Sequence, residues 1–325
     1  TTIDPNVAVA RVPDHRLASI AETVGSSSLL PETIQFHDIA GLVKGAAEGE
    51  GLGNRFLAAI RETDAICHVV RCHDDPDVPH PDGAVDPLAD IDVIETELIL
   101  SDYEQAERRL ERVTKQARTG EAEAVAERDW LQAVVAALAE GRPVRSVPAP
   151  EAAGEAERNL QALTSKPVLY VANLAEAESE PPAAVLEHAA GAGAAAVGVS
   201  ARIEGELAEL EGEEAEEMRR DLGMEVSGLE RVVRGAWELL DLITFYTAGE
   251  GKEACARSLR RGGTAWEAAG RIHTDIQDAF IKAEVVSWTE LVDLGGYAAA
   301  RDRGRLRIEG RDYRVADGDV ITIKV

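Results

Sequence analysis

Asp38 and Gly41 bracket the tetrapeptide Asp38-Ile39-Ala40-Gly41, which follows the alternating run Thr33-Ile34-Gln35-Phe36-His37. A carboxylate delivered at a strand's end can hold Mg²⁺ through water, and the Gly41 N–H beyond it can sense a terminal phosphate. Gly45, Gly49, Gly51 and Gly53 make the next segment a glycine-rich loop, which suits a nucleotide hydrolase. D-x-x-G fixes only two positions, so a surface loop after a strand is the competing reading. His80 is the second group with chemical reach. It sits between Pro79 and Pro81 in HDDPDVPHPDG, and an imidazole can orient or deprotonate water near neutral pH. A solvated loop histidine would look the same in sequence. Cys67-His68 and Cys72-His73 suggest a metal centre, but strand positions five apart point to opposite faces. The two thiols therefore cannot share one ion, and core cysteines are expected.

These groups need elements to hold them. The spacing predicts a strand over residues 7–12, a helix over 16–24, a helix over 54–63 and a strand over 65–70. His80 then lies on the carboxyl side of a strand, where open α/β sheets bind ligands. Between 95 and 117, Ile99, Tyr103, Ala106, Leu110, Val113 and Ala117 recur at alternating steps of four and three, a coiled-coil seam. Gly120 breaks it, a second helix covers 121–140 with Leu131, Val134 and Leu138 on one stripe, and an antiparallel hairpin follows. A third helix is expected over 152–163. The apolar strand 168–172 ends at Asn173-Leu174-Ala175-Glu176, a helix covers 181–190, and the strand 194–199 ends at Ser200-Ala201. The acidic run 204–221 reads as exposed helix, and 229–242 as a closing amphipathic helix. Strand–helix alternation of this kind makes a parallel α/β sheet. From Thr244 onward short strands surround one helix, 264–272, which Thr264 can cap, and the chain ends in a hairpin-like segment turning at Asp317-Gly318.

Three runs carry a family resemblance: TIDPNVAVARVPDHRL, DIAGLVKGAAEGEGLGNRFLAAIRETDAICHVVRC and AAGRIHTDIQDAFIKAEV. Residues 2–325 resemble, in order, the YchF-type Obg-like ATPases, a branch of the translation-factor class of P-loop NTPases. The resemblance implies an α/β parallel-sheet P-loop NTPase domain (1–96 and 164–243) with an inserted helical coiled-coil hairpin (97–163) and a C-terminal β-grasp TGS domain (244–325). It places Thr2 in the Mg²⁺ shell with Asp38, and aligns His80 with a histidine implicated in catalysis. Ras-like enzymes follow D-x-x-G with a water-orienting Gln, whereas Leu42 stands here. Where related GTPases carry N-K-x-D, this chain has Asn173, Leu174 and Glu176, so the guanine grip is degraded and ATP is the expected substrate. Ser200 and Ala201 are the expected backbone contacts to the base.

The resemblance further implies Mg²⁺ and potassium as ions, and the ribosome's large subunit or its RNA as partner through the TGS domain and hairpin. A cytoplasmic location follows. The family's phosphate loop, G-x-x-N-x-G-K-S-T, normally precedes TIDPN by about thirty residues and has no counterpart here, so the chain is expected to be a fragment inactive by itself. Two other readings stay open: a regulatory GTPase of the Obg type, and a non-catalytic ribosome- or RNA-binding module.

Composition narrows the partners. At 325 residues the chain has room for two or three domains, and its formal charge of −26 opposes indiscriminate nucleic-acid binding, DNA included. Residues 244–325 hold 13 basic and 13 acidic side chains, so the excess, 47 acidic against 21 basic, lies in 1–243. Any RNA contact is therefore expected on the C-terminal domain, where Arg257, Arg260, Arg261 and Arg271 could form a patch or merely a solvated face. No run of eighteen apolar residues could span a membrane, and three cysteines without a framework point to a reducing compartment.

Overall fold

The computed structural model describes residues 6–39, 52–80, 83–176, 178–210 and 212–325. In chain order these form β1 (Asn6–Arg11), α1 (Arg16–Val24), β2 (Ser28–Leu30), β3 (Thr33–Asp38), α2 (Leu52–Arg61), β4 (Ile66–Arg71) and the long α3 (Pro87–Ala117). Then come α4 (Ala122–Ala139), α5 (Ala156–Leu160), β5 (Val168–Asn173), α6 (Ala183–Gly191), β6 (Ala195–Val199), α7 (Ala201–Glu209), α8 (Gly212–Asp221) and α9 (Gly228–Leu239). The remainder is β7 (Leu242–Thr247), β8 (Glu253–Arg260), α10 (Ala265–Ile272), α11 (Thr274–Asp278), β9 (Lys282–Ser287), α12 (Trp288–Leu294), α13 (Tyr297–Asp302), β10 (Arg307–Glu309) and β11 (Asp319–Lys324). Two compact units result, 1–8 with 37–229 and 9–36 with 230–325.

In the first unit β4, β5 and β6 run parallel, with Arg71, Asn173 and Val199 level at their carboxyl ends. β5 is apolar almost throughout because both faces are covered, the pattern of a central parallel strand. Val70, Ile91, Tyr170, Val185 and Ala189 fill one side of it. α3 and α4 fold back on each other along the expected stripe: Ala106 and Val113 pack with Leu131, Val134 and Leu138. Each such fully buried Val or Leu side chain contributes roughly 1.5–3 kcal/mol. Arg109 and Glu127 bridge the two helices at 2.6 Å, and the Trp130 Nε1–H donates to Val147 O at 2.8 Å.

α3 starts two turns before the predicted position. Asp86 accepts the Ala89 N–H at 3.2 Å and Pro87 opens the first turn, an N-terminal signature outside the apolar seam. The helix expected over 152–163 is instead a 3₁₀ turn, the short α5 and a second 3₁₀ turn, interrupted by left-handed Gly154 and Gln161. Tertiary bonding explains the break. Buried Asp102, on α3, accepts the N–H groups of Leu163 at 2.8 Å and Thr164 at 2.7 Å, and the Thr164 hydroxyl at 2.7 Å. These bonds hold the strand-ward segment out of helix.

The second unit is a six-stranded sheet in the order β10-β9-β11-β7-β8-β2. α10 covers one face, with Phe245, Ala265, Ala269, Phe280 and Val285 buried together. α1 and α12 cover the other, with Ile20, Tyr246, Val286, Leu291 and Val320 between them. The expected terminal hairpin is not formed: β10 and β11 flank β9 on opposite sides and pair with it, not with each other. Residues 9–36, assigned by sequence to the nucleotide domain, contribute α1 and the edge strand β2 to this unit. They are fastened by Tyr246 Oη–H donating to Asp14, by Arg16–Asp317 at 2.6 Å and by the Ser258 N–H donating to the Glu32 carboxylate. Gly318 turns the chain with φ of 90°, and any Cβ there would meet Trp288 Cδ1 at 2.6 Å.

Candidate nucleotide-binding site

The level carboxyl ends of β5 and β6 define one corner. Asn173 closes β5, and its Oδ1 accepts the Ala201 N–H at 3.0 Å. The Leu174 N–H donates to Val199 O at 2.8 Å, and Ser200 caps α7 by accepting the Ile203 N–H at 3.4 Å. Asn173, Leu174, Glu176, Ser200 and Ala201, predicted from two separate segments, therefore meet. Gly198 makes room beneath: a Cβ there would lie 2.6 Å from Leu174 Cδ1 and 2.7 Å from Ser179 O.

Two features of the corner depart from expectation. Leu174 is only 2 % exposed, so it supports the loop from below and does not lie over a bound base. Glu176 is exposed, and its carboxylate pairs with Arg202 Nε at 3.0 Å, on the first turn of α7. Arg202 escaped the sequence reading because it stands just before the acidic run 204–221, and no local pattern marks it as the partner of Glu176. A second pairing in this region is the Gly228 N–H donating to Glu204 Oε1, on α7, at 2.6 Å.

His80 lies beyond β4, in a loop that Arg71 staples by donating to His73 O at 2.9 Å and Val78 O at 2.7 Å. Its Nε2 is 3.2 Å from Asp90 Oδ2, in the first turn of α3. The ring is therefore held by a carboxylate and is not merely solvated. The acidic residue in the first turn of a helix, just downstream of the histidine loop, was the available signal for Asp90. Asp38 ends β3, exposed, in the two-stranded sheet of β1 and β3. Thr2, Gly41 and Leu42 lie outside the described residues.

Mg²⁺ takes hard oxygen donors, typically one or two carboxylates with phosphate oxygens. Exposed Asp38 is such a donor, and among the described residues no three His, Cys, Asp or Glu gather into a site of their own. Of the expected magnesium donors, Asp38 is described and offers a carboxylate of the right kind. Cys67 and Cys72 are free thiols, both pushed up to about 11 by burial, as unreactive half-buried cysteines should be.

A parallel sheet with a helical insertion, presenting an N-x-x-E loop and an S-A turn at its carboxyl edge, is a P-loop GTPase-type domain. Residues 1–119 match the family model MMR_HSR1, described as a 50S ribosome-binding GTPase, and residues 242–325 match YchF-GTPase_C, described as a protein of unknown function (DUF933). The ribosome-binding ATPase YchF of Bacillus subtilis (strain 168) is 45 % identical over 326 residues, spanning 98 % of this chain and 89 % of that protein. Its counterpart in Haemophilus influenzae is 46 % identical over 323 residues with the same shares. A solved structure of the Schizosaccharomyces pombe YchF GTPase matches with a TM-score of 0.86 at 32 % identity, over 100 % of this chain and 89 % of that one. The chain belongs to the YchF family.

Proposed function

We propose that this chain forms the body of an ATP-hydrolysing, ribosome-associated regulatory switch. The base corner supports the choice of ATP. In N-K-x-D the Asp accepts two hydrogen bonds from guanine, and the Lys covers the base. Here the carboxylate is one methylene longer and already engaged by Arg202, and the lysine position is a buried leucine. Adenine offers an amino donor where guanine has a carbonyl, and lacks the N2 group that an Asp would read. Asn173, Ser200 and Ala201 provide the frame on which the base rests, and Asp38 with Thr2 would hold Mg²⁺, with potassium as a second ion. His80, held by Asp90, would orient the attacking water in place of the glutamine that Leu42 replaces.

The C-terminal sheet is read as the TGS module, docking with the helical hairpin on the large ribosomal subunit or its RNA. Ribosome binding is named for the bacterial relatives, and the neutral charge balance of 244–325 is compatible with it. This reading places the protein in the cytoplasm. No G-K-S or G-K-T occurs among these 325 residues, so they supply no lysine for the β- and γ-phosphates. The chain by itself therefore turns over no ATP. The test is Mg²⁺-dependent hydrolysis by the chain alone and by the chain extended upstream with a G-x-x-N-x-G-K-S-T segment. Turnover is expected only in the extended protein; an inactive extended protein that binds ATP would reduce it to a binding module.

A further inference from the structure

Ile39, inside the D-x-x-G tetrapeptide, packs against a buried cluster made by Leu57 and Ile60 of α2, Leu98 of α3 and Leu163. One set of apolar contacts thus joins the segment that would sense a terminal phosphate to the root of the helical hairpin. Polar contacts reinforce it. Arg61, the last residue of α2, donates through Nη2 to Ser101 Oγ at 3.2 Å and to Gln105 Oε1 at 2.6 Å, both on α3. Gln105 donates onward to Leu160 O, and Asp102 beside it holds the amides of Leu163 and Thr164.

The helix that receives these contacts can carry a displacement. α3 has neither Gly nor Pro after Pro87, and its 31 residues make one run roughly 46 Å long. Ser101 and Gln105 stand just before Ala106 and Val113, which pack on α4. Turning or sliding α3 at its root therefore moves the hairpin with it. The Arg61 latch is also incompletely satisfied. Its Nε is buried with no hydrogen-bond partner among the described residues, and burial lowers its pKa while the Asp102 carboxylate opposes that shift. Both are costs of the latched arrangement, so a modest change at α2 suffices to release it.

We propose that Ile39, α2 and Arg61 couple the bound nucleotide to the hairpin, which is held differently with ATP and with ADP. The inference rests on the ATP reading above and adds the route by which the nucleotide is reported. On that reading the Gly41 N–H meets the γ-phosphate and loses it on hydrolysis, a change that begins two residues from Ile39. Such coupling is reciprocal: a partner gripping the hairpin must alter nucleotide affinity by the same factor.

The experiment is hydrogen exchange, read by mass spectrometry, on the protein extended upstream with a phosphate loop. Mg²⁺ is present with ADP or a non-hydrolysable ATP analogue, and nucleotide binding is titrated on the same preparation. In the parent, amides of α2 and of residues 97–117 should each differ at least about fivefold in exchange between the two nucleotides. Arg61→Met should keep nucleotide affinity and the α2 difference but remove most of the difference at 97–117. Ser101→Ala/Gln105→Leu should do the same from the other side of the latch, and Arg61→Lys should restore part of it through Gln105. An arginine that merely stabilises the fold would raise exchange equally with both nucleotides. Thermal melting identifies any variant that fails to fold, and the comparison of nucleotides in the parent does not depend on the variants. The coupling is overturned if the parent, with both nucleotides bound, shows no difference at 97–117, or if that difference survives in both latch variants. Failure to bind ATP at all overturns the reading beneath it, and the coupling with it.

Discussion

Asn173 Oδ1 accepts the backbone N–H of Ala201 at 3.0 Å, joining the N-x-x-E loop to the S-A turn across 28 residues of chain. The bond makes the base corner one object. Asn173→Ala should cost about 1–2 kcal/mol in urea unfolding, because the Ala201 amide loses its acceptor. Asn173→Asp keeps an acceptor and should cost less. Equal stability of the alanine variant and the parent would mean that the corner is held elsewhere.

Asp102 has a comparable role in the interior, closing two amides and a hydroxyl at Leu163 and Thr164. Asp102→Ala should destabilise by about 3–5 kcal/mol, since several buried donors lose their partner. Burial raises the Asp102 carboxyl above its ordinary 3.8, against those same hydrogen bonds and the Arg61 charge. A raised carboxyl binds its proton more readily folded than unfolded. Its contribution is therefore greatest below 3.8 and is lost as pH rises through the folded value. Urea midpoints above pH 3.8 should show that slope in the parent and lack it in Asp102→Asn.

Asp14 behaves oppositely. Burial works to raise its pKa, but hydrogen bonds from Arg16 and Tyr246 and the Arg16 charge together bring it below 3.8. Its stabilisation is present above 3.8 and is lost as pH falls through the folded value. The wider consequence is that residues 230–325 lack α1, β2 and this carboxylate when expressed alone. They should be unfolded or aggregated, and a fusion that restores 9–36 should give a cooperative transition. A cooperative unfolding curve from 230–325 alone would contradict this.

His80 is held by Asp90 at 3.2 Å, so its ring is oriented before any substrate arrives. In the protein extended with a phosphate loop, His80→Ala should lower kcat at least about tenfold with ATP affinity nearly unchanged, an interaction made only in the transition state. Asp90→Asn should give a smaller loss in kcat. Single-turnover hydrolysis and equilibrium ATP binding on one preparation check both. An unchanged chemical step returns His80 to a structural residue of its loop.

Local chemistry was readable wherever it was local. α1 runs from Arg16 to Val24 as its apolar spacing required, and Thr264 caps α10 in a full capping box with Glu267. The ends of β5 and β6 fell where the apolar runs stopped, which brought Asn173 and Ser200 together. What escaped was set by partners distant in sequence. Residues 152–163 have helical composition, yet Asp102, some 60 residues earlier, bonds the amides at Leu163 and Thr164. α1 and β2 alternate with strands as a nucleotide domain would, but packing on Tyr246 and β8 decides their unit. The N-x-x-E loop ending at Glu176 could be marked from sequence, whereas its ion pair with Arg202 joins two segments that no local pattern connects.

The Glu176–Arg202 ion pair bears directly on the choice between ATP and GTP. The measurement is equilibrium competition between ATP and GTP for the protein extended with a phosphate loop, with Glu176→Asp/Arg202→Ala run alongside. Leu174 stays unchanged, because a lysine buried at that position would disturb the fold. ATP should bind at least about tenfold more tightly than GTP, corresponding to about 1–3 kcal/mol for the lost base contact, with a shift toward GTP in the double variant. GTP binding as tightly as ATP in the unmodified corner would contradict it.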